Sequence, residues 1–203
     1  MELHSSGSDA VFEAAANQLR GARLRSELHV REIPAPEGIA PRSAAFAAGI
    51  VQGSAHPVDA QADSPYGAGR LILMHDPASA DDWGGPFRIV CFAQAPLEVE
   101  IGVDPFIADV AWSWLIDALD SRGAEYDFAS GTATKTLSTG FGTLEDQGDA
   151  AQIEIRASWT PHGEDFAAHA EAWGELLCLL AGLPHHEGVA SLRARSARRD
   201  ARA

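Results

Sequence analysis

The run DPFIADVAWSWLIDALDSRG at residues 104–123 decides how the rest of the chain reads. Asp104 can cap a helix, Pro105 suits its first turn and Gly123 can end it. Between them Ile107, Val110, Ala111, Trp114, Leu115 and Ala118 recur at helical spacing, so one broad face is apolar. Phe106, Trp112, Ile116 and Leu119 widen that surface beyond one stripe. The expectation is a central core helix covered on more than one side. Trp112 and Trp114 cannot share a narrow face, because residues two apart on a helix point about 200° away from each other. One is expected on a sheet and the other against a second helix or a partner subunit, which makes Trp112 a candidate contact residue.

A comparable helix is expected from about Glu164 to Ala181, with Phe166, Ala170, Trp173 and Leu177 on its buried face. Gly182, Leu183 and Pro184 form its stop. At the other end, residues 1–8 are expected to be disordered, and Ser8 or Asp9 can cap a first helix running to about Ser26. Arg20, Arg23 and Arg25 would make an exposed basic patch on it.

LHVREI (28–33), RLILMH (70–75), FRIVCFAQ (87–94) and QIEIRASW (152–159) read as strands, the last with strict period-two alternation. The Thr-rich segment 126–138 is β-prone. Pro96 is expected to break a strand, and LEVEI (97–101) alternates like another, half-exposed one. Ser43–Val51 is Ala-rich and suits a short helix, followed by a flexible insert at 52–69. The resulting order is α-β-β-β-α-β-β-α with an insert after the first strand. It predicts one α+β domain over 9–190: an antiparallel sheet of about five strands with helices packed on it, then a disordered basic tail, 191–203.

With 203 residues, 46% of them hydrophobic, the chain can bury a proper core. Its net charge of −14 is unevenly spread. The tail carries Arg193, Arg195, Arg198, Arg199 and Arg202 against Asp200, a balance of +4 that leaves −18 on the remainder. So acidic a body repels nucleic acid and anionic membrane. Cys91 and Cys178 lie in apolar runs, and free buried thiols fit them better than a disulfide. The start, MELHSSGSDA, lacks a basic segment followed by an apolar one, and no apolar run approaches the ~20 residues a bilayer span needs. A cytoplasmic protein is expected.

Four stretches carry a resemblance: WGGPFRIV (83–90), DPFIADVAWSWLIDAL (104–119), EIRASWTP (154–161) and HAEAWGELLCLLAGLP (169–184). The chain resembles a family of actinobacterial proteins catalogued as a domain of unknown function, number three thousand, across most of 9–192. The resemblance implies no activity, ligand or catalytic residue. Members are often encoded beside a ribonuclease-D-like gene and haem-synthesis genes, which is the source of an RNA-processing expectation. By element order and charge alone, the chain also resembles the type III secretion chaperone-like fold.

Candidate chemistry is sparse. His75 and Asp76, with Asp81, Asp82 and Trp83, flank a Gly/Pro-rich loop at 76–86, where a His and several carboxylates could serve acid–base work or hold a metal. Against that, Asp76-Pro77 and Asp81 are good turn starters. His162, His169, His185, His186 and Glu187 lack any metal-ligand spacing, and Gly131–Thr136 is a Thr-rich strand rather than a phosphate loop. Arg156, beside Glu154 on the polar face of 152–159, is the best single recognition residue. The preferred expectation is a non-enzymatic binding or adaptor protein acting through a protein or peptide partner, with a homodimer expected and neither cofactor nor metal. An enzyme or small-molecule sensor using the loop 76–86, and an RNA-processing accessory, are the alternatives.

Overall fold

The computed structural model describes residues 3–51 and 64–185. Expectations for residues 1–2, for most of the insert, for the tail and for His186 and Glu187 lie outside the described residues.

Period-two patterning sets the architecture. In β4 (Phe87–Leu97) and β6 (Asp149–Pro161), Ile89, Cys91, Ala93, Ile153, Ile155, Ala157 and Trp159 are buried. Their even-numbered neighbours from Arg88 to Gln94 and from Gln152 to Ser158 are half-buried or exposed. One face of each strand is thus committed to a core. With β1 (Leu28–Ile33), β2 (Arg42–Ile50), β3 (Ala68–His75) and β5 (Tyr126–Thr139) they make one antiparallel sheet, ordered β1-β2-β3-β4-β6-β5. α1 (Leu3–Arg20), α4 (Ile107–Ser121) and α5 (Phe166–Leu180) share a single core with one face of that sheet. The one-turn helices α2 (Ala80–Trp83) and α3 (Val99–Gly102) sit in connections. The α+β class and the antiparallel sheet are as expected, with a sixth strand.

That strand is β2, where an Ala-rich helix was expected. Residues 44–50 are all buried, and β2 is hydrogen-bonded on both sides, to β1 and to β3. Alanine's helix preference is worth a few tenths of a kcal/mol per residue, which two flanking ladders override. Four strands therefore precede α4 instead of three. Pro96 does not end β4 either: β3 stops at Ala68 opposite Gln94, so beyond it β4 behaves as an edge strand, where proline is tolerated. Residues 99–102 then form a helical turn, not an alternating strand.

The central helix is α5, not 104–123. Thirteen of the fifteen residues of α5 are buried, against five of fifteen in α4. Glycine seats α5 from both sides: a Cβ at Gly69 would stand 2.7 Å from Leu177 Cδ2, and one at Gly174 would stand 2.7 Å from Leu24 Cδ2. Trp112 and Trp114 are both half-buried and pack on the core of the same chain, Trp112 against Gly131 of β5. Neither needs a partner subunit to cover it. α1 begins at Leu3, inside the segment expected to be disordered, and ends at Arg20. Arg25 is buried instead of exposed, pairing with Glu27 at 2.7 Å and lying 3.7 Å from Glu175. Arg122 and His185 also reach Glu175, at 3.4 and 3.3 Å, so side chains from three segments tie down α5.

Candidate functional site

The loop 76–86 does not assemble an acid–base centre. His75 lies on the core face of β3, 3% exposed, its ring 4.4 Å from that of Phe87 and 6.2 Å from that of Phe12. Burial holds its pKa below the ordinary imidazole value. Asp76 points the other way and is a turn former: Oδ1 accepts from Ala78 N at 3.0 Å and Oδ2 from Ser79 Oγ at 2.7 Å. Asp81 and Asp82 are exposed in the first turn of α2. The histidines are equally dispersed. His169 is buried and accepts from Trp159 Nε1 at 3.1 Å, His162 meets Asp127 at 3.0 Å, and His185 meets Glu175. Among the described residues no group of three metal-type ligands forms.

What the loop does is wall one end of the other face of the sheet. Thr160 Oγ1 donates to the Trp83 carbonyl, tying α2 to β6. Gly84 lies under the Phe128 ring, where any Cβ would overlap it. Phe128 itself is 66% exposed and adopts φ +54°, a left-handed conformation uncommon for an aromatic residue. It sits in the bulge where the β5–β6 register shifts between Asp127 and Ser130.

On this open face, α1, α4 and α5 are absent, all three being committed to the opposite side. Over β4, β6 and β5 the surface is built from Val90 and Phe92, Arg156 and Ser158, and Ser130 and Thr132. These line a shallow concavity of about 420 Å³. Arg156 lies here as expected from the sequence: its guanidinium stands 5.5 Å from the centre of the Phe92 ring, and Nε donates to Glu154 Oε1 at 2.5 Å. Trp83 reaches the site through its carbonyl only, and Trp112 lies under the sheet on the core side.

Sequence reasoning missed Arg88. It is half-buried on the same face, two residues before Val90 on the loop side of the concavity, and meets that lining through Ser158. Its Nη1 donates to Thr160 Oγ1 at 2.9 Å, and its Nη2 to Ser158 Oγ at 2.7 Å and to the Phe128 carbonyl at 3.3 Å. Among the described residues no carboxylate lies within ion-pair reach of it. Burial lowers its pKa, the cost of holding a guanidinium among neutral oxygens. Its even position in an alternating strand put it on the polar face. Nothing in the sequence showed that the groups opposite would be hydroxyls.

A family model described as "Protein of unknown function (DUF3000)" matches residues 8–190. The chain belongs to this family. No curated protein and no solved structure matches it. In this DUF3000 chain, two of the stretches that carry the family resemblance, 83–90 and 154–161, meet at the open face and supply Trp83, Gly84, Arg88, Val90, Arg156, Ser158 and Thr160.

Proposed function

We propose that this is a non-enzymatic binding protein that holds a protein or peptide partner on the open face of its sheet. The observation that supports this is a surface carrying half-exposed Val90 and Phe92 among hydroxyls and arginines, with every long helix among the described residues on the opposite side. An apolar strip framed by polar side chains is the usual composition of a partner site. The residues that would have supported catalysis are instead spent on core stacking and turn capping. The test is co-purification with wild-type protein, Phe92→Ser and an α4-surface control, Asp117→Ser. A partner retained by wild type and control but lost from Phe92→Ser supports the reading. Equal retention by all three overturns it.

A homodimer is the second reading, favoured by a different surface. β5 is an edge strand of fourteen residues with nothing paired on its outer side among the described residues. At one end it carries exposed Leu137, close to Phe141, Leu144, Val103 and Phe106. Long exposed edges beside apolar side chains recruit another strand. Light scattering on wild type and on Leu137→Lys decides it: a dimeric mass that halves in the variant supports a β5 dimer, and a monomeric wild type excludes it. Neither reading requires a cofactor. No described helix is long and apolar enough to cross a membrane, and a cytoplasmic location remains part of this proposal.

A further inference from the structure

Arg88 identifies what the partner must bring. A guanidinium has five N–H donors, and three hydrogen bonds hold this one, all to neutral oxygens: Thr160 Oγ1, Ser158 Oγ and the Phe128 carbonyl. Two other charged groups of this end of the sheet have neighbours of their own. Arg156 is paired with Glu154, and Asp127 lies 3.0 Å from His162. Thr160 is oriented as well: its hydroxyl donates a hydrogen bond to the Trp83 carbonyl and so turns a lone pair to Arg88. The Phe128 carbonyl reaches Arg88 from a residue held at φ +54°, and local backbone strain of this kind gathers at binding sites. A half-desolvated cation bonded to Ser158, with Ser130 next to that serine across the β5–β6 pair, is a receptor for a carboxylate or phosphate, because pairing with an anion is stronger than the bonds to neutral oxygens it now makes.

We propose that Arg88 is the anchor for an acidic peptide segment, whose carboxylate or phosphate group seats against Arg88 and Ser130 while a neighbouring apolar side chain lies on Val90 and Phe92. The acidic body would not have led to this, since by net charge alone a basic partner fits it better. A peptide is the fitting occupant because the concavity is shallow and open. Small ligands bind where 70–90% of their surface can be enclosed, whereas an extended chain can span three strands and bury area along its length. This inference rests on the open-face reading above and specifies its chemistry.

The test uses the full chain and fluorescein-labelled fifteen-residue peptides of matched length. One carries Glu and Leu in a Gly/Ser background, a second has phosphoserine in place of Glu, and a third has Lys in place of Glu. A single-stranded RNA of similar length is the fourth probe. Binding of the Glu or phosphoserine peptide, weakened at least tenfold by Arg88→Met and weakened by salt, is the expected result, and the better of the two names the anion. Ser130→Asp supplies a variant that does not depend on deleting Arg88. It places a carboxylate beside the guanidinium from the strand edge, so it should raise the melting temperature and abolish peptide binding together. Preference for the Lys peptide or for RNA, no binding of either anionic peptide at millimolar concentration, or binding unaffected by Arg88→Met or Ser130→Asp overturns the proposal. Free phosphate competing as well per molecule as the phosphopeptide binds would show a small-anion site and also overturn the peptide assignment. If Arg88→Met keeps the partner that Phe92→Ser loses, the open-face reading stands and only the anion assignment fails.

Discussion

The two faces of this sheet come from the same strands and differ in almost everything else. Toward the helices, β4 and β6 present Ile89, Cys91, Ile155 and Trp159, all fully buried against α5. One residue away along each strand, Val90, Phe92, Arg156 and Ser158 stand on a surface that no long helix among the described residues covers. The core face has even absorbed groups that usually carry chemistry: Phe12, His75, Phe87, Phe166, His169 and Trp159 form a run of ring contacts between 4.4 and 6.3 Å. The open face keeps its charged groups in reach of water. A titratable side chain in this fold is therefore structural or available according to the parity of its position in a strand, and not according to its residue type.

Several substitutions can break or sharpen that contrast. Trp159→Ala should have the largest effect, removing about 3–5 kcal/mol of stability in urea denaturation, because it leaves a large cavity and strips His169 of its hydrogen bond. Acid should act next. Burial holds His169 down at about 4, against an unfolded value near 6.5, so the folded state binds its proton later than the unfolded state. The stabilisation is complete above pH 6.5 and is lost as pH falls toward 4, by at most about 3 kcal/mol for a shift of this size. His75 adds to the same slope. Denaturation at pH 7, 6, 5 and 4 measures it, and His169→Gln should flatten it.

Gly69→Ala comes third, with an expected loss of about 1–3 kcal/mol from overpacking against Leu177. Phe92→Ser, across the sheet, should change stability by less than about 1 kcal/mol while abolishing partner retention. Were it to unfold the protein as Trp159→Ala does, the open face would have to be a second core. Arg156→Ala is the smallest: its side chain is 68% exposed, and its ion pair with Glu154 and its contact with the Phe92 ring both lie at the surface, so the melting temperature should hardly move.

The long elements were legible because their periodicity is strong. Residues 152–159 alternate without interruption, and the Gly182-Leu183-Pro184 stop closes α5 close to its expected end, with Gly182 at φ +75°. β2 was not legible, because a run of alanines has no period to read and becomes a strand only when β1 and β3 pair with it. The short turn at 99–102 was misread since Leu97, Val99 and Ile101 alternate whether or not they form a strand. Of the candidate site residues, Arg156 was legible as a polar-face residue of its strand. His75 was not legible as a core residue, because a histidine at the end of a strand reads the same whether it faces the loop or the core.

Within residues 104–123 an amphipathic helix does form, over Ile107–Ser121; Asp104 turns the chain just before it, accepting from Phe106 N at 2.8 Å without capping it, and Gly123 stands past its end at φ +69°. That much is local, and short-range spacing determines it. Which helix becomes the centre is not local. α4 and α5 carry similar apolar residues, and α5 is enclosed because Gly69 and Gly174 let the sheet and the α1–β1 connection close on it from two sides. The site has the same origin. Arg88 and Ser158 are seventy residues apart and become neighbours only when β4 pairs with β6. Sequence spacing can state that an arginine lies on a polar face, but only strand pairing decides that, among the described residues, it meets hydroxyls and a carbonyl and no carboxylate.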